Sequence, residues 1–392
     1  MAGSVIVAGA RTPIGKLSGA LASLTAMDLG GIAIKAALER AGVTPDRVQY
    51  VFMGQVLQAG QGQNPSRVAS VNAGIGMDVP TSTINKVCLS GLNTIYLADL
   101  MIQAGEADIV VAGGMESMTQ APHLLAGARA GYKLGDGKLV DSMMHDGLTC
   151  SFDQCAMGLA TERYAAGKIS RDAQDAFSAN SHERAAAAMK DGRFDAEIVN
   201  VEIAQRKGDP VIVDTDEGVR PGTTAESLGG LRPAFDKEGT ITAGNASQIS
   251  DGAAAVIVVS KAVAEKLGVD PLGEILAYGQ VAGPDPSLLT QPARAIKQAL
   301  GKIDKQVTDV DLFELNEAFA AVGLASMEDL GITDEICNVN GGAIALGHPI
   351  GASGTRVALH LLNELKRRGG GTGAAALCGG GGQGDAMILR TL

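Results

Sequence analysis

The chain repeats itself, and a repeat on this scale leaves few folds open. Ile34-Lys35-x-Ala37-Leu38 returns as Ile296-Lys297-x-Ala299-Leu300, and the same displacement carries Val48 onto Val310 and Gly54 onto Asn316. Further along the first copy, Cys88-Leu-Ser-Gly91 opens an apolar helical stretch, Leu92 to Ala104, followed by the strand Asp108-Ile-Val-Val-Ala-Gly-Gly114. In the second copy, His348-Pro-Ile-Gly-Ala-Ser-Gly354 opens a helix, Thr355 to Arg367, followed by Gly373-Ala-Ala-Ala-Leu-Cys-Gly379. Order and rough spacing agree, so two copies of one α/β unit is the simplest architecture; chance likeness between αβ units is the alternative. Between the copies, roughly 118–249, the chain turns polar and rich in turn residues. Helices are expected there near Cys155–Ala166 and Arg171–Met189, the second capped by Ser170. Such a stretch is too long for a structureless loop, which makes it an inserted subdomain. Function often sits where an insertion overhangs a rigid scaffold.

The helix after Cys88 is apolar nearly all round, through Leu92, Ile95, Leu97, Ala98, Leu100, Met101 and Ile102. A surface helix would show a polar face, so burial between layers is expected. Ile109–Ala112 and Ala253–Val259 are unbroken apolar runs, the pattern of strands covered on both faces. With 392 residues the chain exceeds one ordinary core. Its 53 glycines are about twice the usual ~7%. They follow no three-residue period, which excludes collagen and points to tight turns and close backbone approaches. Aromatics are 3% with no Trp, and 43 acidic residues outnumber 32 basic ones for a net charge of −11. Little is left for base stacking or a phosphate-binding face, so nucleic acid is not an expected partner.

The opening stretch, Met1 to Val7, shows no basic leader, and no apolar run nears the ~20 residues that span a bilayer. A cytoplasmic protein with no membrane association is therefore expected. Cys88, Cys150, Cys155, Cys337 and Cys378 make an odd, scattered set without a C-x-x-C pair. Free thiols are expected rather than a disulfide framework or a structural metal.

Four positions have the chemistry of a reactive site. Cys88 lies where a strand gives way to a helix, and a helix N-terminus favours a thiolate; a small structural cysteine is the alternative. His348 stands among the glycines of Gly341–Gly354, which let backbone approach a ligand; it reads as a base or as a loop histidine. Asn316 ends the strand Val310–Leu315, where it suits an oxyanion, a water or a helix cap. Cys378 precedes Gly379-Gly-Gly-Gly-Gln-Gly384, which satisfies G-x-G-x-x-G. A dinucleotide fingerprint opens a helix, however, whereas Asp385–Arg390 reads as a terminal strand. A glycine hairpin beside Cys378 is expected.

Taken together, the chain resembles the thiolase family, and within it the acetyl-CoA acetyltransferases. The likeness runs from Val7-Ala-Gly-Ala-Arg-Thr-Pro13 through Gly113-Gly-Met-Glu-Ser117, Asn245–Gly252, Asn316-Glu-Ala-Phe-Ala320 and the His348 loop to Cys378–Gly384. It implies the thiolase fold, two βαβαβαββ halves in five α-β-α-β-α layers with an inserted loop domain. The implied division is 1–117 with 250–270 as the N-terminal half, 118–249 as the insertion and 271–392 as the C-terminal half. The resemblance makes Cys88 the nucleophile, His348 its activator and Cys378 the group that moves the α-proton. Asn316 with a water, and His348, would stabilise the enolate, and the backbone N–H groups of Cys88 and Gly380 the oxyanion. Arg220, Ser247, Met157, Ala243, Phe235 and Phe319 are implied contacts for coenzyme A. No separate cofactor is implied, because the coenzyme A thioesters, acetyl-CoA and acetoacetyl-CoA, are substrates.

Two positions depart from the family pattern. Ala156-Met157-Gly158 stands where short-chain members often read His-Met-Gly, and His182 stands where some relatives carry a tyrosine associated with potassium. The segments Arg129–Asp136 and Asp141–Gly147 resemble the tetramerisation loop of short-chain members, implying a homotetramer built as a dimer of dimers; a solvated lid is the alternative. Reversible condensation of two acetyl-CoA is the expected reaction, with degradative cleavage of longer 3-ketoacyl-CoA as the alternative. Loss of the chemistry is disfavoured because both cysteines, the histidine and the asparagine are present. A ketoacyl synthase is disfavoured because that relative pairs one cysteine with two histidines.

Overall fold

A computed structural model describes residues 3–391, so Met1 and Ala2 of the opening stretch lie outside the described residues. The first half runs β1 (Ser4–Arg11), α1 (Ala26–Ala41), β2 (Tyr50–Gly54), α2 (Pro65–Asn72), β3 (Thr81–Ile84), α3 (Ser90–Gln103) and β4 (Ile109–Ser117). The intervening stretch holds α4 (Met157–Ala165) and α5 (Arg171–Lys190) before β5 (Ser250–Ser260) rejoins the sheet. The second half runs β6 (Gly273–Ala282), α6 (Gln291–Gly301), β7 (Leu312–Leu315), α7 (Ala320–Leu330), α8 (Ser353–Arg367), β8 (Gly371–Gly379) and β9 (Gln383–Thr391).

Strand order makes the repeat explicit: β7-β8-β9-β6-β1-β5-β4-β2-β3. From β1 outward the pairings are antiparallel to β5, antiparallel to β4, then parallel to β2 and β3. From β6 outward they are antiparallel to β9, antiparallel to β8, then parallel to β7. Phe313 then bridges in parallel to Cys337, where the first half has β3. The halves meet where Val5 and Ile6 pair with Glu274 and Gly273. One difference separates the copies. Gly380–Gly382 suffice to join β8 to β9, whereas the matching join from β4 to β5 carries the whole insertion.

Period-two alternation builds the layers, because successive strand residues point to opposite faces. Ile109 and Val111 pack outward against α1, while Val110 and Ala112 pack inward against α3. Ala374 and Ala376 pack outward against α6, while Ala375 and Leu377 pack inward against α8. Residues from α3 and α8 share one apolar cluster with strands of both halves, so these two helices form the middle layer. Every residue of β1, β4 and β5 is buried, as their apolar runs require. The reading of α3 as covered all round needs correcting: Leu100 is 41% exposed, and Tyr96, Leu97 and Met101 are half-buried. Tyr96, Leu97 and Met101 still pack on the central cluster, Tyr96 against Tyr278 of β6, and Leu100 alone turns outward among these four.

Local signals set the helix ends. Thr25 and Asp28 form a reciprocal capping box on α1, and Gly42 closes it at φ 61°. Ser170 caps α5 by accepting the Ala173 N–H. No helix among the described residues is long and apolar enough to cross a membrane.

Candidate active site

Between β3 and α3 the chain makes a tight loop that sets Cys88. The Val87 N–H donates to Asn85 Oδ1 at 3.0 Å, the Lys86 N–H to Ser90 Oγ at 2.8 Å, and Ser90 Oγ to Val87 O at 2.6 Å. These bonds hold Val87 at φ 52°, a left-handed conformation foreign to a β-branched residue. Such strain costs on the order of 1–3 kcal/mol and marks a position the surroundings over-determine. Burial works against the thiolate expected at a helix N-terminus. Burial pushes the Cys88 thiol up to about 12, against the backbone N–H groups of Cys88 and Gly380 that favour its charge. Desolvation outweighs those dipoles, so Cys88 rests as a thiol and would need a base in order to react.

His348 can supply that base. Its backbone N–H is shared by Gln248 O and Ser250 Oγ, each at 3.2 Å. Its Nδ1 lies 2.6 Å from Ser353 Oγ, which donates to Pro349 O at 3.0 Å, and its Nε2 lies 3.4 Å from Asn316 Nδ2. One tautomer closes this network: Nδ1–H donates to Ser353, and the Nε2 lone pair faces Asn316. Burial, then the charge of Arg356, pushes His348 down to about 3, so the ring is neutral at ordinary pH.

The glycine run folds as expected, into a hairpin. Gly381 and Gly382 take φ 79° and 70° in the turn, and Cys378 pairs with Gly384 across the ladder. No helix follows, so the dinucleotide pattern is incidental. Cys378 is fully buried. Burial, and then the neighbouring Cys88, push its thiol well above the usual value. Asn316 follows β7, donating its backbone N–H to Ala376 O at 3.0 Å. All four side chains are therefore gathered at one end of the strands, with the Gly380 N–H against the Cys88 thiol.

Crowding locks this arrangement. A β-carbon on Gly114 would stand 1.9 Å from Gly351 O, and one on Gly91 would stand 2.8 Å from the same atom. Glu116, one turn of the pleat beyond Gly114, accepts N–H bonds from Val56, Leu57 and Gly351 at 3.0, 3.1 and 2.9 Å. It thus ties the loop after β2 to the His348 loop. Sequence reasoning passed over Glu116, Ser353 and the strained Val87. A carboxylate in the otherwise apolar β4 was the available signal for the first; nothing local announces the third.

A cavity of about 480 Å³ opens beside these groups, and Met157, Arg220, Phe235, Ala243, Ser247 and Phe319 all line it. Phe235 meets Phe319 edge-on, centroids 6.4 Å apart. The wall continues to both cysteines. Leu148 and Ile249 pack in the same cluster as Cys88, and Met157 and Phe319 in that of Cys378. His182 accepts the Arg220 N–H at 3.2 Å, and burial, then the Arg220 charge, push it down to about 4. Ala156 also lines the cavity.

Residues 4–262 match the model of the thiolase N-terminal domain, and residues 269–391 that of the thiolase C-terminal domain. A probable acetyl-CoA acetyltransferase of Mycolicibacterium smegmatis is 59% identical, over 98% of this chain and 100% of its own. An acetyl-CoA acetyltransferase of Cupriavidus necator is 54% identical over 98% of both chains. The crystal structure of the Bacillus anthracis acetyl-CoA acetyltransferase superposes with a TM-score of 0.97 at 39% identity, over 100% of this chain and 99% of that one. Two domain models that together span the chain, and relatives alike from end to end, carry one conclusion: this chain has the thiolase fold and belongs to the thiolase family.

Proposed function

We propose that this acyltransferase condenses two acetyl-CoA into acetoacetyl-CoA and free CoA, and runs the reverse thiolysis. The observation that carries the reading is the gathering of Cys88, Cys378, Asn316 and a neutral His348 beside the cavity that the six coenzyme A candidates line. The Cys88 proton passes to His348 Nε2 as sulfur attacks the first thioester carbonyl. The N–H groups of Cys88 and Gly380 receive the charge on that oxygen, and CoA leaves with the proton from His348. Cys378 then gives its thiol proton to the freed His348 and, as thiolate, removes an α-proton from the second acetyl-CoA. Asn316, through a water, and His348 stabilise the enolate oxygen. As the enolate carbon bonds to the acetyl carbonyl, the bond from that carbonyl to Cys88 sulfur breaks, and Cys88 takes a proton back from His348. Both thiols lie above neutrality when the site is empty, so ionisation is coupled to substrate rather than stored in advance. No cofactor enters this sequence.

Residues 1–117 with 250–270 and residues 271–392 act as the two catalytic halves, and 118–249 as the unit for coenzyme A and assembly. A homotetramer is proposed from the segments 129–136 and 141–147; exposed Tyr132 and Leu134 within the first, and Leu125 and Leu139 beside them, support it. Two cysteines that must stay reduced suit the cytoplasm. Ala156 favours one broader possibility, cleavage of longer 3-ketoacyl-CoA. One or two methylenes shift discrimination by only about 1–3 kcal/mol in an apolar pocket. Acetoacetyl-CoA and its next homologues are therefore all expected to be cleaved. Thiolysis across a series of chain lengths tests this. A kcat/KM highest at acetoacetyl-CoA or its near homologues supports the reading, and a steady rise toward medium chains overturns it in favour of the degradative alternative.

A further inference from the structure

The loop that carries Cys88 and the hairpin that carries Cys378 come from opposite halves of the molecule, and one ion pair joins them. Lys86 Nζ lies 2.8 Å from both carboxylate oxygens of Asp385. Lys86 stands two residues before Cys88, next to the strained Val87. Asp385 pairs with Leu377 in the β8–β9 ladder, one step from the Cys378–Gly384 pair. The Asp385 side chain is 1% exposed and that of Lys86 22%. The Tyr278 hydroxyl also donates to Asp385, and the Tyr278 ring stacks on Tyr96 of α3 at 4.2 Å and 4°. Anchored from both sides, Asp385 is a fixed point on the hairpin, and Lys86 draws the nucleophile loop onto it.

We infer that Lys86 and Asp385 are positioning residues for acyl transfer, holding the Cys88 loop in register with the hairpin so that the Gly380 N–H and Cys378 meet the Cys88 sulfur. Three observations converge on this role. The loop is strained, so it needs an external tie to keep its shape. Its other hydrogen bonds run among Asn85, Lys86, Val87 and Ser90, or from Asn85 Nδ2 to Val56 O at 3.4 Å, and none of these crosses to the hairpin. A buried ion pair stabilises little in itself, because desolvation offsets the attraction, yet breaking one partner strands the other. What such a pair does well is fix a geometry. Without Lys86, burial favours a protonated Asp385 that no longer pulls on the loop. The role rests on the thiolase reading of Cys88.

The test uses the full chain with Lys86→Gln, Lys86→Arg and Asp385→Asn. Acetoacetyl-CoA thiolysis is measured per active site, the sites being counted as Cys88 acetylated by acetyl-CoA. Misplacement of reacting groups by about 1 Å can cost two orders of magnitude, so Lys86→Gln and Asp385→Asn should lower kcat roughly ten- to a hundredfold. Their KM should stay within about twofold, since the cavity lining is untouched. Lys86→Arg, which keeps the charge and reach, should recover most of the loss. A purely structural tie would lower the number of competent sites and leave kcat per site unchanged. The inference is overturned by a per-site kcat for Lys86→Gln near that of the wild type, by a loss confined to KM, or by failure of Lys86→Arg to improve on Gln. If Asp385→Asn does not fold, the two Lys86 variants decide alone. A wild-type chain that never acetylates Cys88 overturns the thiolase reading and the inference with it, an outcome the wild-type control separates from failure of the inference by itself.

Discussion

At Cys88 and His348 the same cause, removal from water, moves the two groups in opposite directions. Burial raises the thiol to about 12 and lowers the imidazole to about 3, so both groups are neutral across the working range. A neutral thiol beside a neutral base is competent for proton transfer once a carbonyl is there to receive the electrons. Alkylation of Cys88 by iodoacetamide in the free protein should therefore still climb with pH at about pH 9, with no inflection near the usual histidine value. A plateau reached near neutrality would show a preformed thiolate and contradict this electrostatic account.

Glu116 offers a second test at this scale. Burial raises its carboxyl from 4.5 to about 7. Between those values the unfolded chain has ionised while the folded one keeps its proton. The Glu116 contribution is thus complete below about 4.5 and is lost as pH rises through about 7, a swing of roughly 3 kcal/mol. Glu116→Gln lacks the titration. The stability of wild type relative to this variant should fall as pH rises across that window, as read from urea midpoints. A difference that is flat with pH, or that grows, contradicts the assignment.

Among the elements, the decisive contact is the meeting of α3 and α8 at their N-termini, beneath the two reactive loops. Gly91, Gly114 and Gly351 allow it, and none of the three leaves room for a methyl group. Gly114→Ala would drive a β-carbon into the Gly351 carbonyl. A loss of at least 1–3 kcal/mol is expected in chemical denaturation, about the usual cost of overpacking a tight core. Unchanged stability would mean that the helices can part. Much of this level was legible in the sequence. Unbroken apolar runs marked β4 and β5 as doubly covered, and the displaced Ile-Lys-x-Ala-Leu match located α1 and α6 as equivalent helices. The motif glycines could be seen, but which carbonyl each one meets depends on contacts between distant segments. The conformation of Val87 was illegible for a similar reason, since no propensity predicts a left-handed valine. The half-exposed stripe on α3 escaped notice because an apolar helix looks the same whether or not every face is covered.

For the whole molecule, duplication explains why the site lies where it does. Equivalent loops from the two halves, one after β3 and one before α8, converge on the central layer, the first setting Cys88 beside Cys378 and the second setting His348 beside Asn316. The insertion hangs from a single β4–β5 join and lines the cavity with Met157, Arg220, Phe235 and Ala243. Its exposed ribbon, Leu125 to Leu139, predicts a tetramer by light scattering at micromolar concentration; a stable dimer would count against it. The central claim is a division of labour between the two cysteines, and Cys378→Ala isolates it. Incubated with acetyl-CoA and mapped by peptide mass analysis, this variant should carry an acetyl group on Cys88 and release no acetoacetyl-CoA. Acetylation at another cysteine alone, or acetoacetyl-CoA formed at near the wild-type rate, would contradict the account.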